Sequence, residues 1–274
     1  MRRTYIGSAI VLLMSISFMA GCRVSYKDYT YRTQDYTTEA ESVDVNREYR
    51  VGNDAAKLPY DAVFIDDYSN EGTIRGRIQG KELSLNIKIN KVIVADDITA
   101  YTDIGGTHYD LLIEWIKRIN AIEAGLTNKY NEDDGTFDSG YEGVNTKIFM
   151  ISAELINNWD NPVRVDISGL HIYNVNREKG ECARLSIRES RFDDYSGPIG
   201  LDRGYITLQA GERRNVVLIM VEPDKIIHTY RIENGKNIVT DAEDINYDNL
   251  YLRLSLSGVQ QIYSGENFIK LKTE

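Results

Sequence analysis

The stretch from Lys147 to Val175 leaves this chain the least freedom. Phe149, Ile151, Ala153 and Leu155 alternate along it, while Ile148, Met150 and Ile156 fill the opposite face. A strand apolar on both sides has to be covered on both sides. The run then breaks at Asn157-Asn158-Trp159-Asp160-Asn161-Pro162. Asn and Asp tolerate left-handed backbone and bond their own chain, and Pro162 cannot donate to a central ladder, so this segment is a turn. Val163, Val165 and Ile167 resume the alternation, and Leu170, Ile172 and Val175 start another strand after Ser168-Gly169. Strand, tight turn and two further strands describe the middle of a β-sandwich.

The flanking sequence repeats the pattern. Ala62–Ile65 and Thr73–Ile78 read as strands, and Leu83, Leu85, Ile87 and Ile89 alternate cleanly with polar residues, continuing after a break as Lys91–Ala95. The period then changes. Leu111, Leu112, Trp115, Ile116, Ile119 and Ile122 recur at helical spacing with Glu114, Lys117 and Glu123 opposite, and Gly125 suits a left-handed cap. An acidic loop, 128–143, leads back to the central strand. Residues 176–203 read as loop-rich, with one strand near Ala183–Ile187. Tyr205–Leu208, Val216–Val221, Ile226–Ile232, Leu250–Leu256 and Phe268–Leu271 complete the strands, with a hairpin turn at Asn234-Gly235.

At the N-terminus, Arg2 and Arg3 precede an apolar run from Ile6 to Met19, closed by Ala20-Gly21-Cys22. A basic start, a short apolar core and small residues before a cut site form a secretory signal, too short for a comfortable membrane span. Cys22 after Ala-Gly resembles the lipobox of bacterial lipoproteins. That resemblance implies removal of residues 1–21 and acylation of Cys22, palmitate being a typical chain, with the mature protein held at a membrane by lipid. Two or more acyl chains are what stable anchoring requires. The chain has 32 basic and 42 acidic residues, and losing 1–21 would leave 30 against 42. So acidic a balance argues against nucleic acid and against electrostatic docking on anionic lipid. Residues 22–57 contain almost no aliphatic side chain and are expected to be a disordered tether, with the sandwich spanning 58–274 and a helical insertion near 107–143.

Several turn motifs resemble one family. Asn157-Asn158-x-Asp160-Asn161-Pro162-Val163, then Leu170-x-Ile172-Tyr173, then Leu208-x-Ala210-Gly211-Glu212 before Val216–Val221 look like the telokin-like, immunoglobulin-like β-sandwich domains of unknown function on bacterial lipoproteins. Ala210 stands where that pattern has proline. The resemblance covers about 81–257 and implies an immunoglobulin-like antiparallel sandwich with no catalytic residues to carry over.

Chemistry is scarce. With Cys22 acylated, Cys182 has no disulfide to form and reads as a buried structural thiol. His108, His171 and His228 lie far apart, and no metalloprotease, P-loop or nucleophile-elbow motif occurs. The pairs Asp66-Asp67, Asp96-Asp97, Asp193-Asp194 and Glu243-Asp244 read as solvated turns. The best ligand candidate is the loop holding Asn131, Asp133, Asp134 and Asp138 around Gly135, an oxygen-rich segment suited to Ca²⁺. It fails the EF-hand pattern, because Tyr130 and Tyr141 would stand at its first and last positions. Otherwise no cofactor is implied.

These features favour a non-enzymatic, lipid-anchored, extracytoplasmic binding or adhesion module of the bacterial envelope, at the outer membrane or cell surface, with a protein or glycan partner. The competing readings are a structural subunit of an envelope complex and a hydrolase with an unrecognised site.

Overall fold

The computed structural model describes residues 47–273, apart from 52–55, 61, 68–71, 79–80, 123–129, 167–169, 186–188, 195–204 and 255–266. The leader 1–21, Cys22 and the tether as far as residue 46 lie outside the described residues, and so does the side chain of Trp115.

The chain begins with two short strands, β1 (Glu48–Arg50) and β2 (Ala56–Lys57). Both fall in the expected tether, which corrects the boundary at Leu58: paired chain reaches back to Glu48. The apolar surface those residues lack comes from elsewhere. β1 lies against β13 (Lys225–Glu233), Tyr49 stacks on Tyr230 at 5.4 Å, and Val51 packs beside Tyr141, Val144 and Ile227.

β3 (Val63–Ile65), β4 (Gly72–Ile78) and β5 (Lys81–Ala95) follow. The break after Ile89 is a β-bulge, with pairing stepping from Ile89↔Ala153 to Lys91↔Ser152, so β5 runs on without ending. After a 3-10 turn at Ile98–Thr102, α1 (Tyr109–Ile122) is the one α-helix among the described residues. Leu112 and Ile116 are buried, but Leu111, expected in the apolar stripe, is 43% exposed. The helix is rotated so that the row of Leu112 and Ile116 faces the sheet.

β6 (Thr146–Asn157), β7 (Val163–Asp166), β8 (Leu170–Asn176) and β9 (Glu181–Arg184) realise the central stretch. β10 (Glu189–Asp194) lies in the segment expected to be mostly loop. β11 (Tyr205–Leu208), β12 (Arg213–Pro223), β13, β14 (Lys236–Asp244), β15 (Leu250–Leu254) and β16 (Asn267–Lys270) finish the chain. The β13–β14 turn has Asn234 at φ 51° and Gly235 at φ 77°, the positive pair that a two-residue hairpin requires.

The strands form a mainly antiparallel β-sandwich. One sheet runs β10-β12-β6-β5-β4 and the other β2-β9-β8-β15-β16-β3, with only β16 and β3 parallel. A ribbon β11-β7 and a small sheet β1-β13-β14 complete it. Phe149, Ile151, Ala153 and Leu155 of β6 meet Leu170, Ile172, Leu250, Leu252 and Ile269 of the other sheet in the main core. Ile148 and Met150 point the other way, under Leu112 and Ile116 of α1. That second cover is why β6 is apolar on both faces. Each such side chain contributes about 1.5–3 kcal/mol relative to exposure.

The turn motifs are structural. Asn157 is wholly buried: its Nδ2 donates to the carbonyls of Asn161 (2.9 Å), Leu208 (3.2 Å) and Gln209 (2.9 Å), while its Oδ1 accepts from Trp159 N–H. Glu212 accepts from Gln209 N–H at 2.6 Å, across a turn in which Gly211 takes φ 70°.

Candidate functional site

Two connections are enlarged, the one between β5 and β6 and the one between β12 and β15, and they meet. Glu142 N–H donates to Asn237 O at 2.9 Å, Asn237 Nδ2 returns a bond to Gly140 O, and Lys236 pairs with Glu142 at 2.9 Å. Tyr141 sets its ring edge-on to Tyr230. The acidic loop is therefore braced by the β13–β14 hairpin.

Within that loop the expected ligand oxygens serve the backbone. Asn131 Oδ1 accepts from Asp133 N–H (3.2 Å), Asp134 Oδ1 from Thr136 N–H (3.0 Å) and Oγ1 (2.6 Å), and Asp138 Oδ1 from Gly140 N–H (2.7 Å). The Thr136 bonds hold the Asp134 carboxyl below its ordinary range. Gly135, at φ 74°, sets the turn, and its carbonyl accepts from Ile98 N–H. These are side-chain turns closing on themselves. Among the described residues no three His, Cys, Asp or Glu side chains gather as a metal-binding group. Gly135 thus places Asp134 to close the loop.

A concave feature lies beside it. A groove of about 470 Å³ runs between α1 and the start of the loop. Its helix wall carries Tyr109, Asp110, Ile113, Glu114 and Lys117, and its loop wall Tyr130 and Glu132. Lys117 spans it to Glu132 at 2.6 Å. Both rings are backed by core aromatics: Tyr109 lies 6.2 Å from Tyr101, and Tyr130 lies 5.3 Å from Phe137. Tyr101 is itself fully buried, with Gly106 so close that a Cβ there would run into its ring. Burial pushes the Tyr130 phenol above the usual tyrosine value, helped by Tyr109, Glu132, Asp134 and Asp97. The groove walls carry two tyrosines and, with three carboxylates against Lys117, a net negative charge.

A scan of protein families gave no match to this chain, and neither did a search of curated proteins. A crystal structure described as an uncharacterized β-sandwich protein from Clostridium difficile 630 aligns over 79% of this chain and 99% of its own, at 14% identity and a TM-score of 0.33.

The remaining sequence candidates are dispersed. His108 sits by Thr107 (3.3 Å), and His228 lies 3.7 Å from Glu243. His171, on the outward face of β8, is lowered to a pKa of about 4 by burial and by Arg184 and Arg253. Cys182 is buried with Tyr173, Val175, Tyr251 and Phe268, where a small apolar thiol fits. Two acids taken for solvated turn residues have specific partners. Asp66 accepts from Arg177 through both oxygens and from Tyr251 OH at 3.0 Å, and Asp96 pairs with Lys147. The Arg177 bonds hold Asp66 below its ordinary value, while burial and the Asp66 bond push Tyr251 up to about 12. Arg177 also lies 4.0 Å over the Phe64 ring, tying the β8–β9 turn to β3, the edge strand of the same sheet.

The groove residues other than Tyr130 and Glu132 lie outside the loop that the sequence singled out. Asp110, Glu114 and Lys117 do repeat at one-turn spacing along the helix's polar face. That face reads as solvated until the loop wall is placed opposite it.

Proposed function

We propose that the chain is a lipid-anchored, extracytoplasmic binding module of the bacterial envelope, non-enzymatic, whose partner engages the groove between α1 and the loop. The observation that carries this reading is the groove itself. Its two tyrosines are fixed from behind by core rings, and polar groups converge from two separate elements. Sandwich scaffolds place function on their connections, and this chain's extra length lies there.

The finer fold assignment supported here is the immunoglobulin-like type, as in the telokin-like domains of lipoproteins. With β5, β6, β8, β10, β12, β15 and β16 taken as A to G, one sheet runs D-E-B-A and the other contains C-F-G. The A–B and E–F connections then belong to one end of the sandwich, and those two carry the insertions.

Cross-linking on intact cells tests the binding role. Lys117→Cys labelled with a bulky maleimide fills the groove after folding. Wild type and unlabelled Lys117→Cys should yield the same partner adduct, and the labelled protein should lose it. Absence of an adduct, or one insensitive to the label, overturns the reading. The anchor is tested separately. Cys22→Ser should move the protein from the detergent phase to the aqueous phase, since an acidic chain has no other hold on a bilayer.

A further inference from the structure

We propose that the groove takes an extended peptide segment of a protein partner with basic side chains at alternate positions, Lys117 being the internal cation that such a side chain displaces. This rests on the groove being the binding face.

Three features of the geometry define the ligand. The first is length. The helix wall runs from Tyr109 to Lys117, nine residues whose eight steps span about 12 Å at the helical rise. That matches about four residues of extended peptide. The second is spacing. Asp110 and Glu114 stand one turn apart, about 6 Å along the axis. Side chains two apart on an extended chain point the same way at about 7 Å. An alternating basic segment therefore reaches both acids from one edge, while consecutive basic residues point to opposite sides. The third is composition. Tyr109 and Tyr130 line the groove, and a tyrosine ring attracts a cation or the aliphatic stem of Lys or Arg, at about 0.5–1 kcal/mol for an exposed site. Ile113 supplies the apolar floor.

The internal ion pair fixes the sign. Lys117 and Glu132 are 45% and 60% exposed, and surface pairs of this kind are worth only about 0–1 kcal/mol. An incoming ammonium or guanidinium can replace Lys117 at little cost. Removing Lys117 leaves Asp110, Glu114 and Glu132 as the charged groups among the described lining residues. A basic ligand then gains, whereas an acidic one loses the contact of opposite charge that Lys117 offers.

The test uses the full chain and a fluorescent peptide, Thr-Lys-Thr-Lys-Thr, read by anisotropy at low salt, against the same peptide with Gln for Lys. The Lys peptide should bind at least tenfold tighter, and Asp110→Asn with Glu114→Gln should erase that preference. Lys117→Gln should tighten binding several-fold. Asp241→Asn with Glu243→Gln, which changes net charge equally but on β14, should leave it unchanged. Equal binding of both peptides, weakening by Lys117→Gln, or equal losses in the two double variants would overturn the proposal. If the maleimide block still abolishes the cell-surface adduct in that case, the groove stands as the site and only the ligand class is wrong. If the block has no effect, the site itself is wrong.

Discussion

Asn157 shows how one side chain can fix the register of three segments. It closes the turn to Asn161 and joins the end of β6 to the Leu208–Gln209 turn, all from a position with no solvent to substitute for a lost bond. Asn157→Ala strands buried carbonyls and should cost about 3 kcal/mol, the upper range for an unmade buried bond, read as a lower denaturation midpoint with unchanged slope. The Asn and Pro letters announce a turn in the sequence. They do not announce a partner fifty residues away, because that depends on which strand lies alongside. His171 makes the same point through charge. Its pKa is 6.5 ordinarily and about 4 here, so the folded state resists protonation. Above 6.5 both states are neutral; as pH falls from 6.5 towards 4 only the unfolded chain takes the proton, and stability is lost across that window. His171→Gln should flatten the fall in melting temperature between pH 7 and pH 4.5. An unchanged slope would show that other groups cause it.

At the scale of elements, what the sequence conveys depends on how many faces an element buries. β5, β6, β12 and α1 bury one or two full faces, so their periods are plain. β10 and β14 leave little mark in the sequence because Glu189–Asp194 and Lys236–Asp244 are mostly charged and polar, as suits strands at the edge of their sheets. β1 and β2 escaped notice because two or three residues carry no period at all. The helix and its loop respond differently to substitution. Ile116 is buried against the sheet under the second apolar cluster, so Ile116→Ala should cost about 3 kcal/mol in a thermal or urea melt. In the loop, asparagine keeps the Oδ1 acceptor that closes each turn. Changing Asp133, Asp134 and Asp138 together to Asn should therefore leave the melt nearly unchanged, whereas Asp134→Ala should lower the midpoint measurably through loss of the Thr136 bonds. A large loss in the triple Asn variant would mean that charge, and not turn closure, holds the loop.

For the whole molecule, the point where the fold starts decides, under the proposed lipid anchor, how far the groove stands from the membrane. Composition places the change at Leu58, since nothing between Arg23 and Lys57 has enough aliphatic surface to order itself. Pairing places it at or before Glu48. β1 borrows the edge of β13, and Lys57 of β2 pairs with Glu181 while Leu58 N–H donates to Gly180 O at 2.9 Å. Trypsin separates the two. Its sites at Arg23, Lys27 and Arg32 precede the paired chain, whereas Arg50 and Lys57 lie in strands. Cleavage needs a locally open segment, so at low dose the first cuts should fall at Arg23, Lys27 and Arg32. The resistant fragment should then keep Arg50 and Lys57 intact, as intact mass will show. A fragment starting at Leu58 under the same dose would mean that β1 and β2 separate readily from β13 and β9. In that event the expected tether would gain the ten residues from Glu48 to Lys57, about 33 Å of extended chain, and under the proposed lipid anchor the groove would reach that much farther from the bilayer.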